Sequence, residues 1–152
     1  MPKTIGVISD THGLLRVEAF AMLRGCDAIV HAGDIGKPEV LEQLAQLAPL
    51  TAIRGNVDTW AVDLPGTAVL TLDGRRFYVL HNLADLDLDP RSAGFDGVIS
   101  GHSHVPKSEM RDGVLYLNPG SAGPRRFKLP VSLARIRVYK SRLAAQLIRL
   151  AL

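Results

Sequence analysis

What the chain lacks narrows its chemistry first. Its 152 residues include one cysteine, Cys26, so no disulfide can close within the chain and a cysteine-built structural zinc site is excluded. A reduced, cytoplasmic setting is the simplest expectation. No apolar run reaches the roughly 18 residues that a membrane helix needs. No basic segment followed by an apolar core opens the chain, so neither a signal peptide nor a membrane partner is expected. Low-complexity segments, internal repeats and obvious linkers are also missing, and the length suggests one domain over residues 1–152. With 47% hydrophobic and 22% charged residues, the chain has enough apolar content to offset its ordering entropy, which excludes disorder.

Acid is missing from one end. The formal charge of +3 hides this, because all 15 acidic residues precede Pro124 while residues 124–152 carry only Lys and Arg. That basic segment suggests an affinity for anions. Arg135, Arg137 and Lys140 alternate with apolar residues, which reads as the wet face of a strand. Basic residues without interleaved aromatics are weak support for nucleic-acid binding, so nucleic acid is kept only as an alternative partner.

Hydrophobic periodicity orders the rest. Short apolar runs at Thr4–Ser9, Ala28–His31, Leu50–Ile53 and Gly97–Ser100 predict buried strands. Apolar spacing predicts helices over Leu14–Gly25 and Lys37–Leu47, the second with Pro38 in its first turn. Asp73-Gly74 and Asp112-Gly113 predict hairpins joining 67–72 to 75–80 and 108–111 to 114–117. Val131–Tyr139 alternates as a strand. Leu143–Leu150 reads as its partner, although Ala144-Ala145-Gln146 also suits a helix. A βαβαβ half followed by a strand-rich half predicts two packed sheets with helices outside.

Each buried strand runs into a polar loop: Ser9-Asp10-Thr11-His12-Gly13, Ala32-Gly33-Asp34, Arg54-Gly55-Asn56-Val57-Asp58, His81-Asn82, Gly101-His102-Ser103-His104 and Asn118-Pro119-Gly120-Ser121. Such loops at the carboxyl ends of strands are where α/β sheets bind ligands. Asp10-x-His12 and His102-x-His104 are spaced so that extended backbone would aim both members to one side. Carboxylate, imidazole and amide donors suit Mn, Fe, Zn or Co. Asp10, His12, Asp34, Asn56, His81, His102 and His104 over-supply one ion, whereas two ions sharing a carboxylate would use them all. Two metals roughly 3.5–4 Å apart form a clamp for phosphoryl chemistry.

The ordered set D-x-H, G-D, G-N, H, G-H-x-H resembles the signature of the calcineurin-like metallophosphoesterases. Gly55-Asn56-Val57-Asp58 and Asn118-Pro119-Gly120-Ser121 with Pro124-Arg125 resemble its small bacterial and archaeal phosphodiesterase branch. The resemblance implies an α/β fold, a four-layer αββα sandwich of two mixed β-sheets flanked by helices. It implies two divalent metal ions, with Mn expected and Fe, Zn, Ni, Co or Mg as alternatives. Asp10, His12 and His104 would hold one ion, Asn56, His81 and His102 the other, and Asp34 would bridge them. A bridging hydroxide would attack phosphorus. Asp34, Asn56 and His81 are thus the expected catalytic residues, and Asn56, Arg54 and Arg125 the expected substrate-binding ones. Two departures stand out. Val57 occupies the place of a His common in the superfamily, and His81-Asn82-Leu83 replaces the branch's His-Gly-His.

Other residues have plainer readings. His31 reads as a hydrogen-bonded structural histidine, Asp58 as a turn or supporting residue, Trp60 as loop packing or an oligomer contact, and Cys26 as buried and inert. Arg54 and Arg125 each have two readings: phosphate recognition, or a role outside it. The leading expectation is a metal-dependent phosphodiesterase acting on small phosphodiesters, possible as a homo-oligomer. The alternatives are a non-catalytic interaction scaffold on the same fold and a metal-dependent nuclease.

Overall fold

Apolar runs bounded by turn residues fold as strands and helices in the computed structural model, which describes residues 2–126 and 128–152. In chain order these are β1 (Lys3–Ile8), α1 (Val17–Met22), β2 (Ala28–His31), α2 (Pro38–Ala45), β3 (Leu50–Ala52), β4 (Thr67–Leu72), β5 (Arg75–Leu80), β6 (Gly97–Ile99), β7 (Lys107–Arg111), β8 (Val114–Asn118), β9 (Ser132–Val138) and β10 (Leu143–Arg149). Two five-stranded sheets result, ordered β10-β9-β1-β2-β3 and β4-β5-β6-β8-β7. Both are mixed. Strands β1, β2 and β3 run parallel, as do β5, β6 and β8, while β9, β10, β4 and β7 pair antiparallel with their neighbours.

Strand alternation decides what each face buries. Ile5, Val7, Val30, Ile53 and Ile136 of the first sheet meet Phe77, Val79, Ile99 and Leu117 of the second, forming the core between the sheets. Burying each such side chain contributes about 1.5–3 kcal/mol. On its other face the first sheet packs Ile8, Ile29 and Leu133 against Ala19 and Leu23 of the α1 segment and Val40 and Leu44 of α2. The outer face of the second sheet carries Leu80, Val98 and Val114, with Tyr78, Leu83, Leu86 and Tyr116 against them. A single 3-10 turn over Leu83–Asp85 and the 86–96 segment cover that face. The layered sandwich is therefore present, with a thin fourth layer. The alternating Asp85, Asp87 and Asp89 belong to it: they are exposed while Leu86 and Leu88 turn inward.

One element differs from its sequence reading. The helix expected from Leu14 begins only at Val17, because the Leu14 N–H bonds the Thr11 carbonyl and Arg16 Nε donates to the Gly123 carbonyl. These contacts hold the entry segment against the strand-end loops. The ambiguous segment after residue 142 is a strand, paired with β9 from Leu143↔Val138 to Arg149↔Ser132. That ladder outweighs the helix propensity of Ala144-Ala145-Gln146.

The basic end of the chain is partly consumed by structure. Arg135 donates to the Met22 and Arg24 carbonyls at the end of α1, where a cation is favoured. Arg142 lies over the Tyr139 ring at 4.4 Å. No helix among the described residues is long and apolar enough to cross a membrane.

Candidate metal centre

Parallel order brings the carboxyl ends of β1, β2 and β3 to one end of the first sheet and those of β5, β6 and β8 to one end of the second. The loops leaving them are laced together. Asp10 N–H donates to the Gly33 carbonyl, His12 N–H to the Asp34 carbonyl, and Gly101 N–H to the His81 carbonyl. The His102 N–H reaches Asp10 Oδ2, 92 residues away in sequence. At Gly55 a Cβ would stand 2.1 Å from the Asp34 nitrogen, so only glycine lets these two loops touch.

The backbone here is not extended. Asp10, His12, Asp34, His102 and His104 all adopt positive φ, between 46° and 71°. This corrects the reading of D-x-H and H-x-H as alternating strand residues. Asp10 and His12 reach a common centre with His104 because left-handed residues curl the loops inward, while His102 stays outside it. Asp and His tolerate that region better than most residues, and such strain concentrates at functional sites.

Asp10, His12 and His104 form one cluster of potential ligand atoms, and Asp10, Asp34 and His81 another, each with its atoms within 4.8 Å. Asp10 Oδ1 lies 3.3 Å from His104 Nε2 and 3.9 Å from both His12 Nε2 and His81 Nε2. Asp34 Oδ2 stands between His81 Nε2 at 3.2 Å and His12 Nε2 at 3.7 Å. Asp10 Oδ1, His12 Nε2 and His81 Nε2 are buried and have no hydrogen-bond partner. His81 Nδ1 lies 2.7 Å from the Ala32 carbonyl, to which it donates; a neutral ring then aims the Nε2 lone pair at the carboxylates. Imidazole and carboxylate lone pairs crowded here repel one another unless positive charge, a proton or a metal ion, stands among them. The donor set and its orphaned atoms fit divalent metal.

Supporting groups hold this arrangement. Ser9 Oγ donates to Asp10 Oδ2 at 2.6 Å, leaving Oδ1 to face the centre. The Val57 N–H donates to Asp34 Oδ1, leaving Oδ2 free in the same way. Burial raises the Asp10 pKa. Burial opposes ionisation of Asp34 too, but the adjacent His81 and the Val57 N–H outweigh it and hold that carboxyl below the usual range. Burial disfavours charge on His81, yet Asp34, the Ala32 carbonyl and Asp10 together raise its pKa. His104 is shifted down, by burial first and then by the charge of Arg126.

His31 is fully buried and lies outside both clusters. Its Nδ1 accepts from the Gly33 N–H, and its Nε2 pairs with Thr11 Oγ1, which donates onward to the Ile35 carbonyl. Burial lowers its pKa to about 3. Asp58 accepts from three backbone N–H groups, of Ile35, Gly36 and Gly55, and so joins the Asp34 loop to the Asn56 loop. Asn118 Nδ2 donates to the Gly101 carbonyl and Ser103 Oγ, and Ser121 Oγ to the Asp10 carbonyl. The supporting parts played by Ser9, Thr11, Asn118 and Ser121 were not read from sequence. Their one signal is adjacency, since each sits in a ligand-bearing loop or the loop packed on it.

The remaining candidates lie at the mouth. Asn56 and His102 are exposed, and the His102 ring stands edge-on to His81 with centroids 5.2 Å apart. Arg54 and Asn56 line a cavity of about 340 Å³ together with His81. Arg125 and Arg126 are exposed on the loop following Ser121, as is Trp60 on the loop after β3, while Cys26 is buried.

Fold and site define a class: two-sheet α/β proteins carrying a carboxylate–imidazole metal centre at their strand ends. Residues 4–141 match the family model described as the calcineurin-like phosphoesterase superfamily domain, and the chain belongs to that family of metallophosphoesterases. It is 32% identical over 162 residues to a probable metallophosphoesterase of Methanothermobacter thermautotrophicus, covering 95% of this chain and 91% of that one. A phosphodiesterase of Methanocaldococcus jannaschii is 28% identical over 137 residues, covering 76% and 82%. The fold also superimposes on vacuolar protein sorting 29 of Cryptosporidium parvum with a TM-score of 0.78 at 15% identity, over 99% of both chains.

Proposed function

We propose that this chain is a phosphodiesterase that hydrolyses small phosphodiesters with two divalent metal ions, Mn being the expected one. The convergence of the unpartnered Asp10 Oδ1, His12 Nε2 and His81 Nε2 carries this reading. Asp10, His12 and His104 would hold one ion and Asn56, His81 and His102 the other, with Asp34 available to both. Bound there, the ions supply Lewis acidity toward phosphorus and acidify a water molecule. The chain's own part is to orient. Ser9 and the Val57 N–H fix the two carboxylates, the Ala32 carbonyl fixes the His81 tautomer, and Arg54, Asn56 and Arg125 offer contacts to phosphate oxygens. Hydrolysis breaks one P–O ester bond, leaving a phosphomonoester and an alcohol. Val57 offers no proton to that alcohol, so substrates with weakly basic leaving groups react best. A cytoplasmic setting, and residues 1–152 acting as one domain, belong to the same reading.

Hydrolysis of bis(p-nitrophenyl) phosphate with added Mn tests it. Activity is expected, and Asp34→Asn and His81→Ala should each lower it by at least a hundredfold. Inactivity with every one of Mn, Ni, Co, Zn and Mg overturns the reading. A non-catalytic scaffold is the second reading, favoured by the exposed Val57, Trp60 and Val62 on the loop after β3. Metal content separates the two: less than one ion per chain after reconstitution favours the scaffold.

A further inference from the structure

Two cavities meet at Asn82, one reaching His81 and the other His102. The larger is the more polar of the two, bordered by Arg54, Asn56, Thr67 and Asp85 beside Leu80. The smaller, about 210 Å³, runs beside His102 along the outer face of the second sheet, with Leu83, Val105 and Tyr116 in its walls. A phosphodiester bound at the metal centre has two ester arms to place, and these cavities offer them different surroundings.

The smaller cavity is built before any ligand arrives. Asn82 Oδ1 accepts from the Ala84 N–H and caps the 3-10 turn that delivers Leu83. Leu83 occupies the position where the family branch has its second His. Tyr116 is backed by the Arg111 guanidinium, 4.6 Å from its ring centroid. Arg111 Nε is held by Glu109 Oε1 at 3.0 Å, and Glu109 Oε2 meets Lys107 Nζ at 3.2 Å. Glu109 pairs with both cations and leaves a net charge of +1 at this exposed edge, while the rest of the wall presents mostly apolar surface with a few polar groups. Asn118 is committed to Gly101, Ser103 and Gly120, which fixes the adjoining wall.

We infer that the smaller cavity receives a flat aromatic ring, a nucleobase or a simple aryl group, carried on one arm of the phosphodiester. This rests on the phosphodiesterase reading above. A ring of this kind has apolar faces for Leu83, Val105 and Tyr116 and fits the available volume. The polar cavity across Asn82 takes the other arm.

Competition against bis(p-nitrophenyl) phosphate hydrolysis, with calorimetric titration of the metal-loaded protein, tests the inference. The probes are inorganic phosphate, methyl phosphate, phenyl phosphate and thymidine 5′-monophosphate. Phenyl phosphate or the nucleotide should bind about tenfold more tightly than methyl phosphate, roughly what burying half of one ring supplies. A gain shared by both identifies the ring face as the determinant, whereas a gain for the nucleotide alone identifies a nucleobase; either supports the inference. Val105→Asp, which places charge in the wall, and Val105→Trp, which fills the space, should each erase the preference while inorganic phosphate still binds. Leu83→Gln repeats the test from the opposite wall if the first position disturbs folding. Equal binding of methyl and aryl probes, or a preference that survives these substitutions, overturns the ring cavity and leaves the phosphodiesterase reading standing. Failure to bind inorganic phosphate and to hydrolyse any diester overturns both.

Discussion

Replacing Gly101 with Ala should weaken the metal centre without replacing any of its candidate ligands. Gly101 follows β6, and its φ does not demand glycine. What demands glycine is space: a Cβ there would stand 2.1 Å from Ser9 Oγ and 2.6 Å from Asp10 Oδ2. Ser9 and Asp10 have no exposed surface, so neither can swing away into solvent. The methyl group therefore breaks the Ser9–Asp10 hydrogen bond and pushes the carboxylate off its alignment. Overpacking of this kind costs about 1–3 kcal/mol. Losing a hydrogen bond to a charged group adds about 1.5–3 kcal/mol. Because the two penalties share one displacement, a total of about 3 kcal/mol is expected in urea melts of the metal-free protein. Affinity for Mn should fall about 10–100-fold, the usual effect of disturbing a group that orients a ligand. Gly113→Ala is the control. It too carries an added Cβ, but in open space with a φ of 78°, so only backbone strain of about 1–2 kcal/mol applies and metal affinity should not change. If Gly101→Ala binds Mn as tightly as the parent protein, the account of how Asp10 is held is wrong.

Other outcomes follow from the same contacts. The His31 pKa is about 3 in the folded chain against an ordinary 6.5, so as pH falls the unfolded chain binds the proton first. Stability from this group is complete above pH 6.5 and should decline by about 1.4 kcal/mol per pH unit toward pH 3. His31→Asn retains an acceptor for the Gly33 N–H and should flatten that slope in urea melts of metal-free protein between pH 7 and 4; identical slopes contradict the assignment. Asp58→Asn turns an acceptor of three N–H groups into a partial donor and should cost about 2–3 kcal/mol while weakening Mn binding. An unchanged melting temperature and metal titration would refute its role in joining two ligand loops. Mn at a hundred times its Kd should stabilise the fold by about 2.7 kcal/mol for each site filled, which raises Tm by roughly 5–10 °C per site. Asp34→Asn should lose most of that rise; a full rise in this variant places the metal elsewhere.

The amino-acid sequence by itself determined the strands, the two Asp-Gly hairpins and the candidate donors. Short apolar runs that can only be buried have to stop at polar loops, and in a βαβ half those loops must emerge at the carboxyl ends of parallel strands. Asp10, His12, Asp34, His81 and His104, the residues whose donor atoms cluster, are legible there because imidazole and carboxylate gather in loops that an ordinary turn would fill with Ser or Asn. Tertiary structure decided how those loops meet. Pattern along one segment says nothing of a contact such as His102 N–H to Asp10 Oδ2, made across two sheets. The curled backbone at the ligands, misread as extended from spacing alone, is imposed by the lacing between loops. Helix α1 is shortened by contacts from Thr11 and Gly123 rather than by a stop signal of its own. The tautomer of His81 depends on a carbonyl of Ala32 that only the packed sheets bring near. Orientation of a donor is a property of its neighbours in space, and for this protein that is what converts a list of histidines and aspartates into a centre able to hold metal.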